Sequence, residues 1–247
     1  MRRNGTRGCR RPPRGSIRAT HQLSGTPYRV SVPPGYHHSV AWPLLLALHG
    51  WGQPLESESG WHDHGQAHGY VVVTPQGYSE GEPFGPSWNG AGSTGSPGPL
   101  GPTCTRPLMR GTCYPSCGRC ADGCWWTTCR DSVAQVASVL DEVMGGWCIA
   151  RNAVYATGLS NGGAFLFELA RDARTAGRIA AYLPTNGLPH AGFSPPPAHR
   201  PSALLGLWGT PADEKWWDVP PGLSPGALRK HGLAPAVPAE AGSKCKH

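Results

Sequence analysis

The residues best placed to do chemistry lie between Asn152 and Ala170. There Gly158-Leu159-Ser160-Asn161-Gly162 joins a β-prone run, Val154 to Thr157, to a helix-compatible segment with Phe165, Leu166 and Leu169 on one face. A serine between glycines at a strand-to-helix junction has the spacing of a nucleophile elbow. Gly158 and Gly162 let neighbouring backbone approach closely, and the Ser160 hydroxyl projects out of the sheet. The backbone N–H of Asn161 then faces the same space at the positively polarised start of the helix. Ser160 is therefore the candidate nucleophile of an acyl transfer, and Asn161 supplies one oxyanion donor. In a chain with 35 glycines the bare pentapeptide says little, and it is the strand before and the helix after that give it meaning.

A second donor is expected from His49-Gly50-Trp51-Gly52-Gln53, which follows the continuous apolar run Pro43 to Leu48. Such a run fits a strand buried on both faces of a parallel sheet, and ligand sites of α/β sheets lie at the carboxyl ends of the strands. The glycines leave the Trp51 amide free to face a carbonyl oxygen. By contrast, His62, His64 and His68, near Asp63, do not have the spacing that sets three ligands on one helix face. A surface helix without a metal is expected there.

Positioning these motifs takes strands that alternate with helices. Tyr28 to Val32 alternates with period two, and Tyr70 to Pro75 reads as a buried strand. Val133, Val136, Leu140 and Val143 form the stripe of a helix over Arg130 to Met144 that ends at Gly145-Gly146. Ile179 to Pro184 and Ala203 to Thr210 read as further short strands. The pattern predicts an α/β fold with a doubly wound, mostly parallel sheet.

A chain of 247 residues suffices for one such domain. Its formal charge of +7 is local: seven arginines lie within residues 1 to 18 and the remainder balances. Residues 1 to 25 are thus expected to be a basic disordered tail outside the fold. The longest apolar run is too short to cross a membrane, and no signal peptide is visible. Of the nine cysteines, six fall between Cys104 and Cys129 (Cys113, Cys117, Cys120 and Cys124 between them), with Cys148 close behind. Only Cys117-x2-Cys120 has zinc-like spacing, and no histidine lies between positions 69 and 189, so disulfides and an oxidising compartment are expected. The Gly/Pro/Cys-rich insert, residues 90 to 129, has no periodicity and must be stapled to be ordered.

His49-Gly-Trp-Gly-Gln53, Tyr70 to Gly77, Ser87-Trp88-Asn89, the cysteine insert and Val154 to Gly163, taken together, resemble the secreted α/β-hydrolases of the polyhydroxybutyrate depolymerase and feruloyl or acetylxylan esterase group. The resemblance covers residues 28 to 218. It implies an extracellular serine esterase acting on hydroxyalkanoate or polysaccharide-linked acyl esters, with no cofactor and with neither nucleic acid nor a membrane as partner. It also implies a triad acid in a Gly-Thr segment after the strand following the elbow helix. Gly209-Thr210-Pro211-Ala212-Asp213 matches with one extra residue, which makes Asp213 the acid and Asp218 the fallback. The family's histidine turn has no counterpart, and His231 and His247 are what the Pro/Ala/Gly-rich segment 219 to 247 offers. A hydrolase domain over residues 26 to 218 with an incomplete C-terminus is therefore expected, the chain extending naturally to a further strand and histidine. The competing readings are a hydrolase-fold protein without catalysis, and a zinc- or polyanion-binding protein built on the cysteine insert and the arginine tail.

Overall fold

The computed structural model describes residues 5–10, 17–20, 25–90, 93, 114–117, 127–187 and 203–207. Among these residues seven strands form one sheet: β1 (Ile17–Thr20), β2 (Pro27–Ser31), β3 (Trp42–Leu48), β4 (Val71–Pro75), β5 (Ile149–Leu159), β6 (Ala181–Thr185) and β7 (Ala203–Leu204). Their order is β1-β2-β4-β3-β5-β6-β7. β1 and β2 pair antiparallel and β2 joins β4 antiparallel, while every pairing from β4 to β7 is parallel. The helices are α1 (Ser59–His68), α2 (Ser132–Gly146) and α3 (Asn161–Arg171).

Alternation along β4 sorts the helices onto two faces. Val71 and Val73 join one buried cluster with Val133, Val136, Val139, Leu140 and Val143 of α2 and Phe165, Leu166 and Leu169 of α3. Val72 and Thr74 point the other way, where a Cβ on Gly65 of α1 would meet Val72 at 2.6 Å and where His62 of α1 reaches the Thr74 hydroxyl at 2.9 Å. Helices therefore cover both faces, as the apolar runs of β3 and β4 require. The strand order, the parallel centre and the β5–α3 junction make this an α/β-hydrolase fold, doubly wound as the sequence predicts.

The expected boundaries hold to within one or two residues for β2, β3, β4, α2 and β6. β5 begins earlier than its apolar run, at Ile149, through the exposed Arg151 and Asn152. Of the predicted last strand, Ala203–Leu204 forms β7 and Leu207 is bridged to Thr185, while residues 208–210 lie outside the described residues.

One expectation is corrected. Residues 1 to 25 are not outside the fold as a whole, because two described pieces of them belong to it. β1 pairs with β2, and residues 5–10 are clasped to the start of β5 by a Cys9–Cys148 disulfide. The Thr6 hydroxyl donates to the Trp147 carbonyl at 2.7 Å and accepts from the Ile149 amide at 3.0 Å. Basic composition does not register such pairing, which uses backbone groups, one threonine and one cysteine.

Candidate active site

Ser160 stands between the end of β5 and the start of α3 with φ 50° and ψ −112°, a backbone conformation that costs a non-glycine residue on the order of 1–3 kcal/mol. The surroundings over-determine it. Its amide donates to the Thr185 carbonyl of β6 at 2.8 Å, and its carbonyl accepts from Ala164 at 2.9 Å. A Cβ on Gly158 would lie 2.5 Å from the Gly162 carbonyl group, and one on Gly162 would lie 2.5 Å from the Leu48 carbonyl oxygen and 2.6 Å from that of His49. Both glycines are thus required by close backbone approach. Ser160 itself is half-buried.

The same contacts bring the second motif alongside. β3 and β5 are parallel neighbours with Leu48 opposite Gly158, so the His49-Gly50-Trp51 turn and the elbow leave the sheet side by side. In that turn Gly52 has φ 72° and donates to the Pro86 carbonyl at 2.7 Å, while Gly50 donates to the Gln53 side chain at 2.8 Å. The amide of Asn161 opens α3, where a helix leaves its first N–H groups without internal acceptors.

Three side chains lock the two motifs together. The Asn161 side chain accepts from the Trp88 amide at 2.8 Å and donates to the Trp88 carbonyl at 3.0 Å. The Trp88 indole donates to the His49 carbonyl at 2.9 Å and stacks on Phe165 of α3 with ring centroids 5.4 Å apart. His49 is fully buried; its Nδ1 donates to the Gly50 carbonyl at 2.7 Å, which leaves Nε2 as the acceptor for the Gly77 amide at 2.8 Å and the Gln76 side chain at 2.9 Å. Burial depresses its pKa to about 4. With both nitrogens engaged, His49 is a neutral strut of the turn and has no capacity left to act as a general base.

The histidines of α1 differ from the expected surface set. His62 is buried between the Ser31 hydroxyl at 2.6 Å and the Thr74 hydroxyl at 2.9 Å. Burial first, then the Arg29 charge, lower its pKa to about 4 against the opposing pull of Asp63. His64 is exposed and shares a hydrogen bond with Tyr70. Among the described residues no three ligating groups converge on a metal position, and no helix is long and apolar enough to cross a membrane.

The described parts of the insert gather on Glu80, a residue the sequence did not single out. Its carboxylate accepts from the Ser116 amide at 2.7 Å, the Ser116 hydroxyl at 2.5 Å and the Thr128 hydroxyl at 2.6 Å, with Arg130 4.0 Å away. Burial works to raise its pKa, but these hydrogen bonds and the Arg130 charge outweigh burial and hold it below the usual value. Cys117, one half of the zinc-like pair, is bonded to Cys129, which takes it away from the zinc reading. Asp213, Asp218, His231 and His247 lie outside the described residues, as do Cys104, Cys113, Cys120 and Cys124.

No family model matches the chain and no curated protein matches it. Solved structures do. A structure described as native sOPH superposes with a TM-score of 0.53 at 16% identity, over 86% of this chain and 71% of that one. A thermostable esterase is similar over 69% of this chain and 40% of its own, with 20% identity and a TM-score of 0.41. The acetyl xylan esterase from Aspergillus awamori is similar over 73% and 55%, with 15% identity and a TM-score of 0.45. This chain spans about half the length of those two esterases. At such identities the likeness is one of fold.

Proposed function

We propose that this chain is a serine carboxylic ester hydrolase of the polyhydroxybutyrate depolymerase or feruloyl esterase type, working in an oxidising, extracellular setting. The observation that carries the reading is the strained backbone of Ser160 at a strand-to-helix elbow, beside a glycine turn that also ends a central strand. Strain of this kind persists where the surroundings hold it, and it clusters at reacting groups.

In this reading a histidine takes the Ser160 proton as the oxygen attacks the ester carbonyl, and Asp213 holds the imidazole in its tautomer and stabilises the imidazolium. His231 and His247 are the candidates for that base. The amides of Trp51 and Asn161 receive the oxyanion, each contributing about 3 kcal/mol to lowering the barrier. The histidine returns its proton to the departing alcohol, and a water activated by the same base releases the acid and restores Ser160. The substrate is an ester of a hydroxyalkanoate or a polysaccharide-linked acyl group, and the chemistry calls for no cofactor. Among the described residues, the disulfides Cys9–Cys148 and Cys117–Cys129 support an oxidising compartment.

The test is hydrolysis of p-nitrophenyl acetate and butyrate by the wild type and by Ser160→Ala, where a loss of about 10³-fold or more is expected. Equal rates in the two proteins would remove Ser160 from the chemistry. Comparing His231→Ala with His247→Ala identifies the base as the one whose loss abolishes turnover.

A further inference from the structure

The residues of α1 make a poor helix on their own. Its ten residues include two glycines and three histidines, and it closes on Gly69, which takes the left-handed conformation with φ 80°. One face is committed to the fold, where His62 is buried against Ser31 and Thr74 and Gly65 lies against Val72. A second, outward face carries His64 and His68, both exposed and four positions apart, which sets one ring above the other. Their ring centroids are 4.1 Å apart. His64 is also oriented. Tyr70, just past the helix, shares a 2.6 Å hydrogen bond with its Nδ1, and the Trp61 ring meets it edge-on with centroids 6.1 Å apart. Nε2 of His64 is thereby turned away from Tyr70.

Two imidazoles four positions apart on a helix can share one metal ion, because a single turn brings a ring nitrogen of each to the same point. With metal–nitrogen bonds of about 2.0 to 2.1 Å, two such rings have centres about 4.5 to 5 Å apart, so His64 and His68 need to open by less than about 1 Å. When the Tyr70 hydroxyl accepts from Nδ1–H, the Nε2 lone pair of His64 faces the ion, which is how an outer partner fixes a ligating histidine. Place favours a cation as well. The pair occupies the last turn of α1, where the helix carbonyls give negative polarity. We propose that His64 and His68 form a two-imidazole seat for a borderline divalent cation of the zinc class, with Tyr70 as the positioning residue and water in the remaining coordination positions. Magnesium and calcium prefer oxygen ligands, which this pair does not offer. Two protein ligands are fewer than the four of a closed structural site, so the ion is exchangeable, and it clips together the last turn of the helix. The seat stands apart from the hydrolase reading. Leu44 of β3 lies opposite Val71 of β4 and Leu48 opposite Gly158 of β5, so the end of α1 is at the amino end of the central strands and the elbow follows their carboxyl ends.

Calorimetric titration of zinc chloride into the metal-free full chain tests the seat. The nine cysteines are an odd number, so at least one thiol has no partner within the chain and competes for zinc, and the variants separate the two kinds of binding. His64→Ala and His68→Ala should each weaken the histidine-dependent binding about tenfold or more, since a single imidazole has no second ligand held beside it. Gln66→His combined with His68→Ala keeps the number of histidines but sets the rings on different faces, and it should bind as weakly as His68→Ala alone. Wild-type affinity in that double variant would mean that no chelate exists. Tyr70→Phe keeps both ligands and removes only the hydroxyl, and about threefold weaker binding is expected; an unchanged affinity would remove Tyr70 from the seat. Amide exchange locates the ion. Zinc should slow the Gly69 and Tyr70 amides, which both donate to the Gly65 carbonyl, and leave α3 as it was. Zinc affinity unchanged in either single histidine variant, or slowing confined to other parts of the chain, overturns the proposal. Neither readout uses turnover, so a chain that hydrolyses no ester can still bear the seat out, and an active esterase that binds no zinc through these histidines refutes it.

Discussion

The elbow and the Trp51 flank meet at the same end of the sheet but are held there by opposite means. Around Ser160, backbone lies against backbone: Gly158 against Gly162, Gly162 against the Leu48 and His49 carbonyls, and Gly163 near Gly187. Around Trp51, side chains reach across long stretches of sequence, from Trp51 to Tyr114, from Ser116 and Thr128 to Glu80, and from Cys117 to Cys129. Backbone contact leaves no room for one added carbon, so it holds the Ser160 backbone in one place. Side-chain tethers fail one at a time and by degrees, so the Trp51 flank should loosen piecemeal.

If that contrast holds, the largest loss comes from the smallest change. Gly162→Ala places a methyl carbon 2.5 Å and 2.6 Å from two carbonyl oxygens, well inside van der Waals contact, and should destabilise the fold by about 3 kcal/mol or more, read as a shifted urea midpoint or as failure to fold. A variant as stable as the wild type would show that this backbone packing is loose. Next comes Asn161→Ala, which strands the amide and carbonyl of fully buried Trp88. About 2 to 3 kcal/mol is expected in the same denaturation assay, with no gain from adding salt.

On the other flank the effects shrink. Glu80→Gln should cost about 1 to 2 kcal/mol and loosen the residues around Ser116, seen as faster amide exchange there than in α3. Acid dependence separates the flanks further. His49 and His62 have folded-state pKa values near 4, below their ordinary 6.5, so the unfolded chain binds protons first and stability should decline as pH falls from about 6.5 to 4. Glu80 is depressed from 4.5, so its share is intact above that pH and is lost only below it. Glu80→Gln should flatten the curve below about 4.5 and leave the decline above it unchanged. The smallest expected effect is a gain. Ser160→Gly relieves a positive φ and should add about 1 kcal/mol, and a loss of stability would mean the serine conformation carries no strain.

What the sequence disclosed follows the same division. The β3 and β4 runs, the α2 stripe and the elbow were readable because period and glycine spacing are local signals, and local backbone geometry answers to them. Tyr114 and Glu80 were not readable. A lone tyrosine among cysteines and a lone glutamate in a loop carry no period, and their roles arise only when residues some 30 to 60 positions apart meet. His62 misleads for a related reason: its helix is legible in the sequence, but its burial depends on Ser31 and Thr74, which belong to two other elements. Trp88 lies between the cases, since Ser87-Trp88-Asn89 is legible as a motif while its clamp on Asn161 is not.

The Cys9–Cys148 clasp has a consequence for how the molecule is made and how it comes apart. The bond encloses a span of 139 positions, so a ribosome adding residues at about 5 to 20 per second leaves the first thiol waiting on the order of ten seconds for its partner. Over that interval the six intervening cysteines emerge as rival partners, and an isomerase in the folding compartment would have to undo any early mispairing. Once closed, the bond keeps both products of a single protease cut inside the span in one covalent piece. Such a nick should be invisible on a gel until a reductant is added, and the nicked chain should retain its shape long after its backbone has been severed.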